Sequence, residues 1–218
     1  MLNSDIRKKA LSGWLKKHYD TEFSSSLKLQ KYLFFYETIS KIENDVSDFS
    51  HLRGYSNGPV FSEVYGDYTY RKNEFYFAVE EDIERWPEFV NEERAKFAGF
   101  LVSILNEKDL SEITHELNIW KSREEDITHG LKNVSLDPED LNEDDRDILF
   151  ELRRMYPAEY IDSVRVITVG QKNFVIRKDE VQKLSDEAQR VFISLADEES
   201  LQNPVYVSVS DEGVVLVD

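Results

Sequence analysis

The chain has 218 residues, 27 Lys or Arg against 44 Asp or Glu, a formal net charge of −17 and no cysteine. That length supports one large domain or a domain with a small appendage, while the missing thiols exclude disulfides, a cysteine nucleophile and thiolate metal sites. The longest apolar run, 32–36, falls far short of the roughly 18–20 residues of a membrane span, and no apolar leader-type stretch follows the first charges, so a cytoplasmic chain with no membrane association is expected.

In chain order, Ile6, Ala10, Leu11, Trp14 and Leu15 recur at helical spacing, with Lys8, Lys9, Lys16 and Lys17 on the other face. That face reads as solvated. A serine at 24, 25 or 26 supplies a side-chain oxygen to cap a second helix. In this helix Leu29, Leu33, Tyr36 and Ile39 mark one face, and Tyr32, Phe34 and Phe35 extend it nearly all the way round. A helix apolar on most sides is the central helix of a bundle, and each buried Phe or Leu contributes roughly 1.5–3 kcal/mol.

Residues 49–55 read as a short strand. The Asn-Gly-Pro-Val stretch at 57–60 reads as a turn in which Pro59 opens a helix with Val60, Val64, Tyr65 and Tyr68 on one face. Residues 75–79 read as a strand or extended loop, and helices are predicted over 91–106, 109–118 and 140–155. After Pro157 the pattern becomes two strands with a turn, a helix with Ala188, Phe192 and Leu195 inward, and a second hairpin closing near Asp211, Glu212 and Gly213. The expected fold is therefore α+β: a mainly helical domain over 1–156 and a small ββαββ appendage over 157–218.

Charge is unevenly spread. Residues 124–147 carry ten acids against two bases, and residues 74–93 carry eight acids and one Arg. Such a surface disfavours direct nucleic-acid binding and favours basic partners. Asp137, Glu139, Asp140, Glu143, Asp144 and Asp145 form the candidate acidic partner surface, able to imitate nucleic acid. The plainer account is that these charges keep the protein in solution.

No Gly-x-Ser-x-Gly elbow, phosphate loop or dinucleotide turn occurs. The four histidines show no metal-binding spacing, so neither a metal nor a cofactor is expected. His115, next to Glu116, has a general-base reading, but a structural histidine bridging helices accounts for it more simply. A protein that binds, rather than an enzyme, is the expectation from the residues alone.

Three stretches in order sharpen that reading: Leu-Lys-Leu-Gln-Lys-Tyr-Leu-Phe-Phe-Tyr-Glu at 27–37, Asn-Gly-Pro-Val-Phe-Ser-Glu-Val-Tyr at 57–65, and Leu-Ser-Glu-Ile-Thr-His-Glu-Leu-Asn-Ile-Trp at 110–120. Together they resemble the Panacea (SocA-like) antitoxin domain over roughly residues 5–125. Lys28, Leu29, Gln30 and Lys31 match the first motif, Gly58, Pro59, Val60, Val64 and Tyr65 the second, and Thr114, His115 and Trp120 the third. Asn57 stands where the family often has an aromatic residue, and Ile119 where a proline commonly precedes the tryptophan. The resemblance implies a helical protein that neutralises a co-encoded toxin by direct contact, or in one relative by delivering the toxin to a protease. It also implies that Gln30, Thr114 and His115 join a buried hydrogen-bond network. The alternative function is a phage or mobile-element inhibitor that occupies a basic surface of a host defence protein with its acidic stretches.

Overall fold

The computed structural model describes residues 1–184, 186–210 and 212–217, except the side chains of Asp186 and Gln189. The chain is α+β, with sheets of three and four strands among the described residues, and it divides into two units. One holds Met1–Val102 and Glu107–Met155; the other holds Ser103–Asn106 and Tyr156–Asp218. The sequence had placed 103–106 in the first domain. They belong to the second because the Ile104 carbonyl accepts hydrogen bonds from Asn173 Nδ2 at 2.9 Å and Asn203 Nδ2 at 3.0 Å.

In the first unit, α1 (Ile6–His18), α2 (Asp20–Phe23) and α3 (Ser26–Ile42) are followed by the hairpin β1 (Leu52–Tyr55) and β2 (Gly58–Phe61). Next come α4 (Ser62–Tyr70), α5 (Lys72–Arg85), α6 (Glu92–Ile104, whose last two residues are counted in the second unit), α7 (Glu107–Glu116), α8 (Asn118–Lys121) and α9 (Glu124–Thr128). The short strand β3 (Val134–Ser135) and α10 (Glu143–Met155) complete it. Asp5 caps α1 by accepting from Lys8 N at 2.7 Å, and Ser25 caps α3 by accepting from Lys28 N at 3.2 Å.

Helix α3 is buried without a break from Leu29 to Ser40. Its inward hydroxyls bond back to the helix itself, Thr38 Oγ1 to the Phe34 carbonyl and Ser40 Oγ to the Tyr36 carbonyl, each at 2.9 Å. The buried Glu37 carboxylate binds Arg7 Nε at 2.8 Å, Lys8 Nζ at 2.9 Å and the Asp48 N–H at 3.0 Å. Among the described residues no helix is long and apolar enough to cross a membrane; α3 is enclosed by protein.

Four local expectations fail, three of them for identifiable reasons. Residues 75–79 lie in α5, because Phe75, Val79 and Asp82 fall on one buried helical face. That face meets α1 closely: a Cβ at Gly13 would lie 2.1 Å from the Val79 carbonyl oxygen. The α1 lysines therefore do not form a solvated face. Lys9 pairs with Asp82 at 2.7 Å, Lys17 with Glu84 at 2.8 Å, and Lys16 with Glu80, so the basic segment neutralises part of the 74–93 acidic stretch. Ile6, expected in the core, is 42 % exposed.

The Asn-Gly-Pro-Val stretch is also not a turn into a helix. Gly58 and Pro59 begin β2, which pairs with β1 in the register Tyr55↔Gly58 and Gly54↔Pro59, and α4 starts only at Ser62. The sheet order is β2-β1-β3, so Pro59 sits on an edge strand, where its missing N–H breaks no interior ladder. Val60 consequently belongs to the strand, while Val64 and Tyr68 are the buried apolar residues of α4, beside the buried Asp67.

The second unit contains α11 (Ala158–Ser163), β4 (Val164–Val169), β5 (Lys172–Arg177), α12 (Lys178–Val181), α13 (Asp186–Ala196), β6 (Val205–Val209) and β7 (Val215–Val217). Its sheet order is β4-β5-β6-β7, antiparallel except for the parallel β5/β6 pair. A parallel pair needs a crossover connection, and α12 and α13 provide it. Phe174, Ile176, Phe192, Val205, Val207 and Val209 form the core, with the Phe174 and Phe192 rings edge to face at 4.9 Å. The second hairpin closes through Gly213, whose N–H bonds the Ser210 carbonyl; Asp211 lies outside the described residues.

Candidate functional site: a buried lysine junction beneath a surface recess

The three motif stretches meet at one point. Lys31, on the inner face of α3, is 1 % exposed, and its ammonium reaches the end of the β1–β2 hairpin and the last turn of α7. Its Nζ donates to the Asn57 carbonyl and, at 2.7 Å, to Thr114 Oγ1. Thr114 Oγ1 in turn donates within α7 to the Leu110 and Ser111 carbonyls, both at 3.0 Å. Gln30 Oε1 accepts the Phe61 N–H at 2.8 Å, so it satisfies a backbone donor of the edge strand. Trp120 Nε1 donates to the Tyr55 carbonyl at 3.0 Å, and the His115 ring stacks on Trp120 with centroids 3.8 Å apart. The hairpin is thus pinned from α3 on one side and from α7 and α8 on the other.

Gly58 makes this convergence geometrically feasible. Its φ is +101°, and a Cβ there would lie 2.0 Å from Lys31 Nζ and 2.6 Å from Thr114 Oγ1.

The electrostatics follow from burial. Among the described residues no ionised carboxylate offsets the desolvation of Lys31, and its pKa falls from 10.5 to about 7. His115 is pushed below its ordinary value by burial and then by the Lys31 charge, so it is neutral at pH 7. Its Nε2 is buried with no hydrogen-bond partner, as is Gln30 Nε2, and each unpaired donor or acceptor of this kind costs about 1–3 kcal/mol. Gln30 and Thr114 are thus each hydrogen-bonded, but through separate bonds rather than one network, and His115 takes part only by stacking on Trp120.

Above the junction lies a surface recess of about 250 Å³. Gln30 and Lys31 contribute to its floor, and Leu27, Tyr55, Pro59, Val60 and Tyr65 to its apolar walls. Tyr55 and Tyr65 are 38 % and 40 % exposed. Lys28 and Leu29 do not line it. Lys28 sits near Glu22 at 4.0 Å, and Leu29 and Val64 are core residues. Tyr55 and Asn57 escaped sequence reading because their backbone carbonyls, rather than their side chains, are the partners at the junction.

The acidic surface is only partly a surface. Asp145 is buried: its Oδ1 accepts the Asn118 N–H at 2.7 Å, and its own N–H bonds Asn142 Oδ1 at 2.9 Å, which closes the start of α10. Desolvation raises its pKa despite these bonds. Asp137 caps a one-turn helix through the Glu139 N–H at 2.9 Å, Glu139 pairs with Lys41 at 2.6 Å, and Asp140 accepts from Ser122 Oγ at 3.0 Å. Glu143 and Asp144 are exposed in the first turn of α10, where carboxylates suit the helix dipole. Among the described residues no three His, Asp or Glu side chains gather where a metal ion could sit.

Lys31 sets a testable pH dependence. In the unfolded chain its amine titrates near 10.5, and in the folded chain near 7. Between those values the unfolded state binds more protons, so folding stability rises with pH; the penalty is complete below about 7 and absent above 10.5. Denaturant unfolding of the wild type should therefore gain on Lys31→Met steadily from pH 7 to pH 10. Parallel profiles for the two proteins would show that burial does not shift this amine.

Compared with protein-family models, curated proteins and solved structures, the chain matches none.

Proposed function

We propose that this chain is a cytoplasmic antitoxin-like binding protein that neutralises a co-encoded toxin by direct contact at the recess between α3 and the β1–β2 hairpin. One observation carries the reading: the three stretches that resemble the Panacea domain, far apart in sequence, converge on a single junction. Directly above it lies an open, apolar-walled recess flanked by two exposed tyrosines. Tyrosine is enriched among the residues that carry most of the binding energy of protein interfaces, and these cluster near the interface centre. No metal, cofactor or nucleic acid enters this reading, and His115 acts in it as a stacked structural residue rather than a catalytic one.

The test is co-expression with the neighbouring gene. Rescue of growth and a stoichiometric complex are expected, both weakened by Tyr65→Asp. Absence of rescue with both proteins well expressed would overturn the reading.

A second reading, an inhibitor that covers a basic surface with its acidic stretch, is favoured by the exposed Asp137, Glu139, Glu143 and Asp144. It predicts steeply salt-dependent binding that charge reversal at these positions abolishes. Binding insensitive to salt would remove it.

A further inference from the structure

We propose that β7 is a self-association edge: the chain pairs with a second copy of itself, β7 against β7 and antiparallel, across a two-fold axis at Leu216. The site lies in the second unit, outside the stretches that carry the proposed function, and does not depend on that reading.

The phase of the hydrogen-bond ladder leaves half of this strand's backbone facing outward. The Ser210 N–H donates to the Val214 carbonyl at 2.9 Å, so these two residues form a hydrogen-bonded pair of the β6–β7 hairpin. Such pairs alternate along an antiparallel ladder. In the register Val209↔Val215, Ser208↔Leu216 and Val207↔Val217, the next hydrogen-bonded pair is therefore Ser208 with Leu216. The N–H and C=O groups of Val215 and Val217 point away from β6, and among the described residues no strand lies beyond them. The side chains are equally unguarded. Val214, Leu216 and Val217 are 53 %, 50 % and 43 % exposed, whereas edge strands are ordinarily blunted by a charge, a proline or a bulge. At the other edge of the sheet, β4 has such a charge in the exposed Arg165. β7 has none.

The strand is its own complement. An added antiparallel strand must meet the outward residues with outward groups of its own. A two-fold axis at Leu216 does this, setting Val215 opposite the partner's Val217 and Val217 opposite the partner's Val215. Leu216 then faces the partner's Leu216 in the close, non-hydrogen-bonded pairing, with Cβ atoms about 4.5–5.5 Å apart, and the two exposed side chains cover one another. A shift of one residue sets outward groups against inward ones, and a shift of two pairs only one outward residue per copy. β7 itself carries no charged side chain, so the chain's net charge of −17 opposes association from outside the strand contact, where salt screens it. The contact is isologous and closes at two copies, joining two four-stranded sheets edge to edge.

The test is sedimentation velocity of the full chain over a concentration series reaching about 100 μM, a range suited to a contact of small area. A monomer–dimer equilibrium is expected, and raising the salt concentration should tighten it. Val217→Pro removes an outward N–H and no bond to β6, and should weaken the dimer by about tenfold or more. Leu216→Lys sets like charges directly opposite one another and should abolish it, as should Leu216→Glu. Both positions are exposed, so the denaturant midpoint of each variant should match that of the wild type. Because the axis passes through residue 216, mixing the Leu216→Lys and Leu216→Glu proteins should restore the dimer. A wild type that stays monomeric throughout the series, a dimer that survives Leu216→Lys or weakens with salt, or a mixture that fails to re-form it would each overturn the inference.

Discussion

Glu37→Ala is expected to destabilise the first unit by about 3–5 kcal/mol, the cost of leaving buried charges without their counter-ion. Glu37 is fully buried and accepts from Arg7 Nε, Arg7 Nη2 and Lys8 Nζ at 2.8, 3.0 and 2.9 Å, and from the Asp48 N–H at 3.0 Å. Lys8 keeps one other carboxylate, Asp48 at 3.3 Å, so part of its charge stays compensated. Arg7 keeps the Val46 carbonyl as an acceptor. The alanine variant also opens a cavity beside α3, which adds to the loss. Glu37→Gln retains the shape and fills the space, so a smaller loss separates the charge contribution from the packing one. Tryptophan emission is a suitable readout, because Trp14, Trp86 and Trp120 all belong to the first unit. A loss under about 1 kcal/mol for Glu37→Ala would mean that the cluster is solvated and contributes no more than an exposed pair.

Gly58→Ala is expected to cost about 2–4 kcal/mol, combining backbone strain with broken hydrogen bonds. The residue sits at φ +101°, a conformation alanine rarely adopts. The added methyl would also displace Lys31 Nζ, 2.0 Å away, and Thr114 Oγ1, 2.6 Å away. Lysine can swing aside, but it then leaves the Asn57 carbonyl unpaired and moves its own amine within the protein. The floor of the recess would be disturbed along with stability. Gly66 is the control: a Cβ there meets nothing within 4 Å, and in the α4 helix Gly66→Ala should gain about 0.5–1 kcal/mol. Similar effects at the two positions would mean that the Gly58 junction is not closely packed.

Where sequence reading succeeded and where it failed divides along a physical line. The burial of α3 was legible because apolar residues on every face leave a helix no solvent-facing option. A serine cap at 24, 25 or 26 was legible because capping acts across three residues, and the structure selects Ser25. The strand–helix–strand character of the second unit was readable from alternation and turns, which are equally local. By contrast, Phe75–Val79 has strand-like composition, yet it is helical because packing against Gly13 of α1 selects the face that carries Phe75, Val79 and Asp82. Asp145 belongs to an acidic run by composition, but it is buried as a cap because Asn118 supplies a donor from 27 positions away.

The motif residues show the same division. Gly58, Thr114 and Trp120 were identified as belonging together only through resemblance, with no indication of what joins them. Tertiary structure supplies the answer: one buried lysine amine bridges two backbone-anchored groups, 26 and 83 positions away. By itself, then, the sequence determined fold class, the central helix, its cap and the absence of thiol chemistry. These depend on periodicity, residue type and interactions within a turn. The lysine junction, the recess above it and the neutralisation of α1 by α5 were decided only in three dimensions. Burial and hydrogen-bond partnership between distant residues depend on which surfaces close over one another, and no local pattern encodes that.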